Sequence, residues 1–191
     1  MPRRGKVVTT SKCVRGAVAA ALVAALAIAA GRSAAAQVTF GSPSDPPSIG
    51  VGAGAFNIDP NNKHRFSQTS AQLQGEYRFG DLLWILAPFV GLMGTSAGGF
   101  YGYAGFGFDI NFGSNWVMTP TFAGGYYYRG DGTNLGSWWE FRSGAELDYR
   151  FENRSRLGIA FYHMSNAGLA KNNQGEQALL LVYSVPLQPP P

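Results

Sequence analysis

From about residue 48 onward, apolar and polar side chains alternate in runs of about ten residues separated by turn-rich breaks. Eight runs are present, at about 48–58, 69–79, 83–93, 99–111, 115–128, 138–151, 156–165 and 177–187. Alternation with a period of two sends successive side chains to opposite faces of a strand, and no stretch carries a convincing helical period. The breaks hold Asp59-Pro60-Asn61-Asn62, Gly80-Asp81, Ser96 to Gly99, Gly113-Ser114-Asn115, Arg129-Gly130-Asp131-Gly132 and Glu152-Asn153-Arg154-Ser155. These are the residue types that tight turns require. A Pro/Ser-rich lead from Gly41 to Ser48 reads as loop.

Two runs carry the pattern most fully. Ser70, Gln72, Gln74, Glu76 and Arg78 alternate with Ala71, Leu73, Gly75, Tyr77 and Phe79. Glu140, Arg142, Gly144, Glu146, Asp148 and Arg150 alternate with Trp139, Phe141, Ser143, Ala145, Leu147, Tyr149 and Phe151. A row of mixed charges facing an enclosed space, with aromatics facing out, predicts an all-β chain: an eight-stranded antiparallel transmembrane β-barrel. Opposite charges would pair in the lumen, where desolvated ions need partners.

A soluble sandwich or lipocalin-like barrel gives the same alternation with inside and outside exchanged. Three features favour the membrane. Aromatics make up 14% of the chain and cluster at run ends, as in Phe100-Tyr101, Tyr126-Tyr127-Tyr128 and Trp138-Trp139. Few charges fall outside the loops and the charged rows. Run lengths match the 9–11 residues of a tilted membrane strand.

Residues 1–36 read as a secretory signal peptide, which leaves 37–191 as the barrel domain. Arg3, Arg4, Lys6, Lys12 and Arg15 precede an Ala/Val/Leu core, and Ala34 and Ala36 supply an A-x-A cleavage pattern before Gln37. The apolar core is short for the rival reading, a retained membrane anchor. Six of the 15 basic residues and none of the 11 acids lie in this segment. The remainder is therefore weakly acidic, so the formal net charge of +4 is no sign of nucleic-acid binding. The single cysteine, Cys13, leaves with the segment, which excludes disulfides and thiol chemistry. The glycines within the runs lack the strand-to-helix setting of a nucleotide loop. Neither a cofactor nor a metal is expected, because His64 and His163 stand far apart without clustered acids. His64, between Lys63 and Arg65, reads as part of a solvated basic loop, the alternative being contact with lipid phosphates.

The candidate chemistry closes the seventh run. Counting back by twos from Ser165 gives His163, Phe161, Ile159 and Leu157, so a histidine and a serine continue an otherwise apolar face. A serine hydroxyl becomes nucleophilic when an adjacent imidazole takes its proton, and the imidazole needs a third group to fix its tautomer. The alternative is a histidine and serine at the barrel rim, bonding headgroups or a loop.

The longer string Phe161-Tyr162-His163-Met164-Ser165-Asn166-Ala167-Gly168-Leu169, followed by Asn173, Gly175 and Tyr183-Ser184-Val185-Pro186-Leu187, resembles the lipid A 3-O-deacylase (PagL) family. The close match covers roughly the last 30 residues; upstream it extends only to signal peptide, strand count and alternation. The resemblance implies an eight-stranded barrel in the bacterial outer membrane that hydrolyses the ester-linked acyl chain at the 3-position of lipid A. Lipopolysaccharide is then the partner, and homodimers are allowed. It also implies that His163 is the general base and Ser165 the nucleophile. Gly168 would give a backbone N–H and Asn173 a side-chain amide to the oxyanion, and Asn166 would shape the turn behind the nucleophile.

The third catalytic member departs from the pattern. The family carries a glutamate at the position that falls on Gln177, with Glu176 one residue earlier. Parity places Gln177 with Leu179, Leu181 and Tyr183 on the outer face, and Glu176 with Ala178, Leu180 and Val182 on the lumen face. The acidic role is assigned to Glu176, which requires a bulge or loop adjustment before Ala178. The alternative is Gln177, orienting His163 through its amide oxygen. The rival to an esterase is a noncatalytic small barrel with a structural, adhesion or narrow-channel role.

Overall fold

The computed structural model describes residues 37–42, 45–58, 69–80 and 84–188. The expected signal segment and the basic loop around His64 lie outside the described residues. Among the described residues, ten strands form one sheet: β1 (Val38–Phe40), β2 (Ser48–Phe56), β3 (Ser70–Arg78), β4 (Ala87–Thr95), β5 (Phe100–Gly107), β6 (Ile110–Phe112), β7 (Trp116–Tyr128), β8 (Trp139–Arg150), β9 (Arg156–Ser165) and β10 (Glu176–Pro186). The order β7-β5-β4-β3-β2-β10-β9-β8, with β8 pairing back onto β7, closes an eight-stranded antiparallel barrel.

The run expected at 99–111 is a single course through the wall, divided into β5 and β6. Both pieces pair with β7 in one unbroken register, from Phe100↔Tyr128 to Phe112↔Trp116. The break falls at Phe108, whose N–H donates to the Pro120 carbonyl at 3.3 Å. Pro120 has no N–H to return, so the ladder lapses there. Strand β1 then lies beside β6, with Phe40 opposite Ile110. Strand β4 begins later than the expected position 83, because Trp84 sits at φ 64, a left-handed turn conformation that a strand cannot contain.

The two faces are sorted as expected for a membrane barrel. Leu73, Leu92, Ile159, Phe161 and Leu181 are exposed on the outside, while Gln72, Gln74, Glu140, Arg142 and Asp148 are buried. A soluble barrel would show the reverse. Aromatic rings gather at both rims: Tyr126, Tyr128, Trp138 and Trp139 at one, and Phe79, Trp116, Tyr149 and Phe151 at the other. The first rim carries the longer connections, 129–138 and 166–175, and is called the loop end below. The second carries the short turns 113–115 and 151–155.

The lumen is packed. The Arg142 guanidinium lies between the Tyr103 and Tyr162 rings, 4.1 Å from each centroid, and pairs with Glu76 at 3.1 Å. Arg78 pairs with Glu76 at 3.0 Å and Glu146 at 3.4 Å, and the Tyr162 hydroxyl donates to Glu146 at 2.6 Å. Toward the turn end, Arg156 and Arg154 each reach Asp45 at 2.6 Å, and Arg150 reaches it at 3.2 Å. Arg156 also meets Asp109 at 2.5 Å. Buried ions are tolerated only when paired and hydrogen-bonded, and this network supplies partners to every arginine in it. The buried rings of Phe89, Tyr101, Tyr103 and Tyr162 pack around these ions.

Candidate active site

Strand β9 delivers His163 and Ser165 to the outer face at the loop end. They are flanked below by exposed Phe161 and Ile159, while Tyr162 and Met164 between them are buried in the lumen. Both are half-buried. In the ladder, His163 stands opposite Ser143 of β8 on one side and Gln177 of β10 on the other. Ser165 stands opposite Phe141. No hydrogen bond joins Ser165 to His163 among the described residues.

The register from Gln177↔His163 to Ser184↔Arg156 is regular, and it continues upward to Glu176↔Met164. The adjustment that would turn Glu176 outward is therefore missing. Glu176 is 1% exposed and faces the lumen, so the structure does not bring it to His163. It brings Gln177, whose side-chain amide lies 3.4 Å from His163 Nδ1. A half-turn of that amide exchanges Nε2 for Oε1, which then accepts a hydrogen bond from Nδ1–H.

The imidazole rests on Gly175. A Cβ built there would overlap His163 Cε1 and stand 3.0 Å from Nε2. A side chain at 175 would push the ring from this place, and glycine lets the imidazole lie against the backbone. The sequence placed Gly175 in the family string but gave it no role.

After Ser165 the chain reverses abruptly. Ala167 (φ 53) and Gly168 (φ 82) are both left-handed, and Leu169 N–H donates to Asn166 O at 3.0 Å. This is the mirror-image β-turn that hairpins favour. Holding alanine left-handed costs about 1 kcal/mol, so something must hold the turn. Asn166 does so. It is fully buried, its Oδ1 accepts Gly168 N–H at 2.9 Å, and its Nδ2 donates to Leu135 O at 2.8 Å and Asn172 O at 2.7 Å. Its own N–H donates to Asn173 Oδ1 at 3.1 Å, which leaves the Asn173 Nδ2 face of that amide as a donor. The Gly168 N–H, in contrast, is already occupied by Asn166.

The comparisons with known proteins bear on the family and the fold. The family model described as "Lipid A 3-O-deacylase (PagL)" matches residues 56–186. Among solved structures, "Crystal structure of the outer membrane enzyme PagL" superposes with a TM-score of 0.59 at 20% identity, covering 73% of this chain and 99% of that one. A second, "De novo design of transmembrane beta-barrels", gives a TM-score of 0.47 at 14% identity, covering 77% of this chain and 98% of that one. No curated protein sequence matches the chain. At 20% identity, the superposition on the outer-membrane enzyme speaks for the fold alone.

Proposed function

The chain belongs to the lipid A 3-O-deacylase (PagL) family, and on that premise we propose that it is an outer-membrane serine esterase that removes the 3-position acyl chain of lipid A. The observation that carries the reading is that His163 and Ser165 lie two residues apart on the apolar outer face of β9, with the Gln177 amide beside Nδ1 of the imidazole. Polar groups that line no lumen and face acyl chains need a purpose. In outer-membrane barrels the end with the longer loops faces outward, which puts the pair level with the outer leaflet. The acyl chains of lipid A already lie there, so a site on the outer wall needs no internal pocket.

In the proposed reaction, Ser165 Oγ attacks the ester carbonyl carbon while His163 Nε2 takes the hydroxyl proton. The oxyanion that forms is met by Asn173 Nδ2, and by Gly168 N–H once it exchanges Asn166 Oδ1 for the stronger acceptor. The C–O bond to the sugar breaks, and His163 returns the proton to the departing sugar oxygen. Water then attacks the acyl-serine with His163 again as base, releasing the fatty acid and restoring Ser165. The Ser165–His163 hydrogen bond closes as substrate seats, as such bonds commonly do. Gln177 Oε1 accepts Nδ1–H and so keeps Nε2 free of a proton, the orienting half of a carboxylate's work. It supplies no charge to the imidazolium, and the chain is therefore read as a slower enzyme than a relative with glutamate at that position.

A serine-directed phosphonate probe tests this. Covalent adduct should map to the peptide carrying Ser165 and vanish in Ser165→Ala. A folded wild-type protein that takes no adduct would remove the reading. The noncatalytic channel rival fits poorly with a lumen closed by the Arg142 stack and the buried rings of Tyr101 and Phe89.

A further inference from the structure

The turn after Ser165 is held from behind by a second loop. Between Asp131 and Ser137 the β7–β8 connection is polar except for Leu135, and that leucine is 0% exposed. It belongs to the apolar cluster that includes Phe56, Tyr101, Tyr127 and Met164 at the loop end of the lumen. Burying a leucine in this way removes its apolar surface from solvent and pins a loop that makes few ladder bonds.

Polar contacts fix its course further. Asn57, fully buried and left-handed at φ 60, donates through Nδ2 to Thr133 Oγ1 at 2.8 Å. The Tyr127 hydroxyl donates to Thr133 O at 3.1 Å. The loop thus presents Leu135 O to Asn166 Nδ2 and Asn134 O to Asn172 Nδ2, at 2.8 and 3.3 Å. Gly136, at φ 98, lies directly against the β9–β10 loop: a Cβ there would overlap the Asn172 carbonyl and stand 3.1 Å from Asn166 Nδ2.

We propose that Thr133–Gly136 of the β7–β8 loop is the positioning element of the active site, and that it acts through Asn166, by its side chain and its backbone N–H, on the two oxyanion donors. The inference rests on the reading of Ser165 as nucleophile. The route has two steps. Leu135 O and Asn172 O fix the Asn166 amide, and Asn166 in turn holds the turn that carries Gly168, whose N–H it yields to the oxyanion, and through its backbone N–H it sets the Asn173 amide. None of Thr133, Leu135 and Gly136 touches the reacting atoms. They decide where the donors point, and displacement of a donor by about 1 Å costs about 100-fold in rate.

The test uses the full chain folded in detergent, with kcat and KM for fatty acid release from lipid A and hydrogen exchange over 166–169. Gly136→Ala should lower kcat about 10- to 100-fold with KM within about twofold, retain heat-modifiable gel migration, and speed exchange in the turn. Thr133→Val should lower kcat severalfold and speed the same exchange, and Thr133→Ser, which keeps the acceptor for Asn57, should restore both. Wild-type kcat and exchange in Gly136→Ala would overturn the proposal. Should that variant fail to fold, equal values in Thr133→Val and Thr133→Ser would overturn it instead. If the wild type proves inactive while the exchange pattern is as described, the nucleophile assignment falls and the loop coupling stands.

Discussion

On the proposed mechanism, replacing Gln177 by glutamate should speed ester hydrolysis. The exchange is nearly isosteric and occurs on the outer face directly across the ladder from His163, with the amide 3.4 Å from Nδ1. Two effects act together. A carboxylate only accepts, so it enforces Nδ1–H and leaves Nε2 to receive the Ser165 proton, whereas an amide serves either tautomer. It also places a negative charge against the imidazolium formed in the transition state. At 3.4 Å and an effective dielectric of about 20, that attraction is about 5 kcal/mol. Screening at a half-buried site and the cost of desolvating the carboxylate remove much of it. If a third survives, the barrier falls by about 1.6 kcal/mol, about fifteenfold in kcat. The assay is the initial rate of 3-hydroxy fatty acid release from lipid A, read by mass spectrometry. Ser165→Ala in the Gln177→Glu background serves as the blank, and heat-modifiable migration serves as the check on folding. A folded Gln177→Glu protein no faster than wild type would refute the assignment of Gln177 as the group that orients His163.

Three further outcomes follow from the same geometry. Glu176→Gln should leave the deacylation rate within about twofold, because the side chain faces the lumen and the catalytic ring does not; a loss above tenfold would return the acidic role to Glu176. Gly175→Ala should cut kcat about 100-fold by lifting the His163 ring off its seat, with the urea midpoint little changed; wild-type kcat would show that the ring has room to shift. Arg142→Ala should destabilise the barrel by about 3–5 kcal/mol by stripping Glu76 of one partner and emptying the space between Tyr103 and Tyr162; an unfolding midpoint in lipid vesicles equal to that of the wild type would show the stack to be ornamental.

The barrel was legible because each strand sorts its residues by face, and a one-residue error would have turned Arg142 or Glu146 toward lipid. Where that sorting fails, so does the reading. The apolar stretch Ile85-Leu86 looked like strand, yet the left-handed Trp84 delays β4 to Ala87. Strand β1, at Val38–Phe40, is too short to show alternation. The Pro120 break at Phe108 becomes visible only when the register is known. At the site, parity placed His163, Ser165 and Gln177 on one face and Glu176 on the other. The preference for Glu176 came from its charge and needed a bulge that the β9–β10 ladder lacks. The second loop was beyond reach, since its course depends on contacts from Asn57 and Asn166, far away in sequence. Its one local signal was Leu135, a lone leucine among polar turn residues.

The central claim is that this barrel cleaves an acyl ester with Ser165. A mass spectrum of lipid A incubated with the purified, folded chain tests it most directly. The account predicts a product lighter by one 3-hydroxyacyl group with the wild type and unchanged lipid A with Ser165→Ala. Unchanged lipid A with the wild type, or the same product from both proteins, would contradict it.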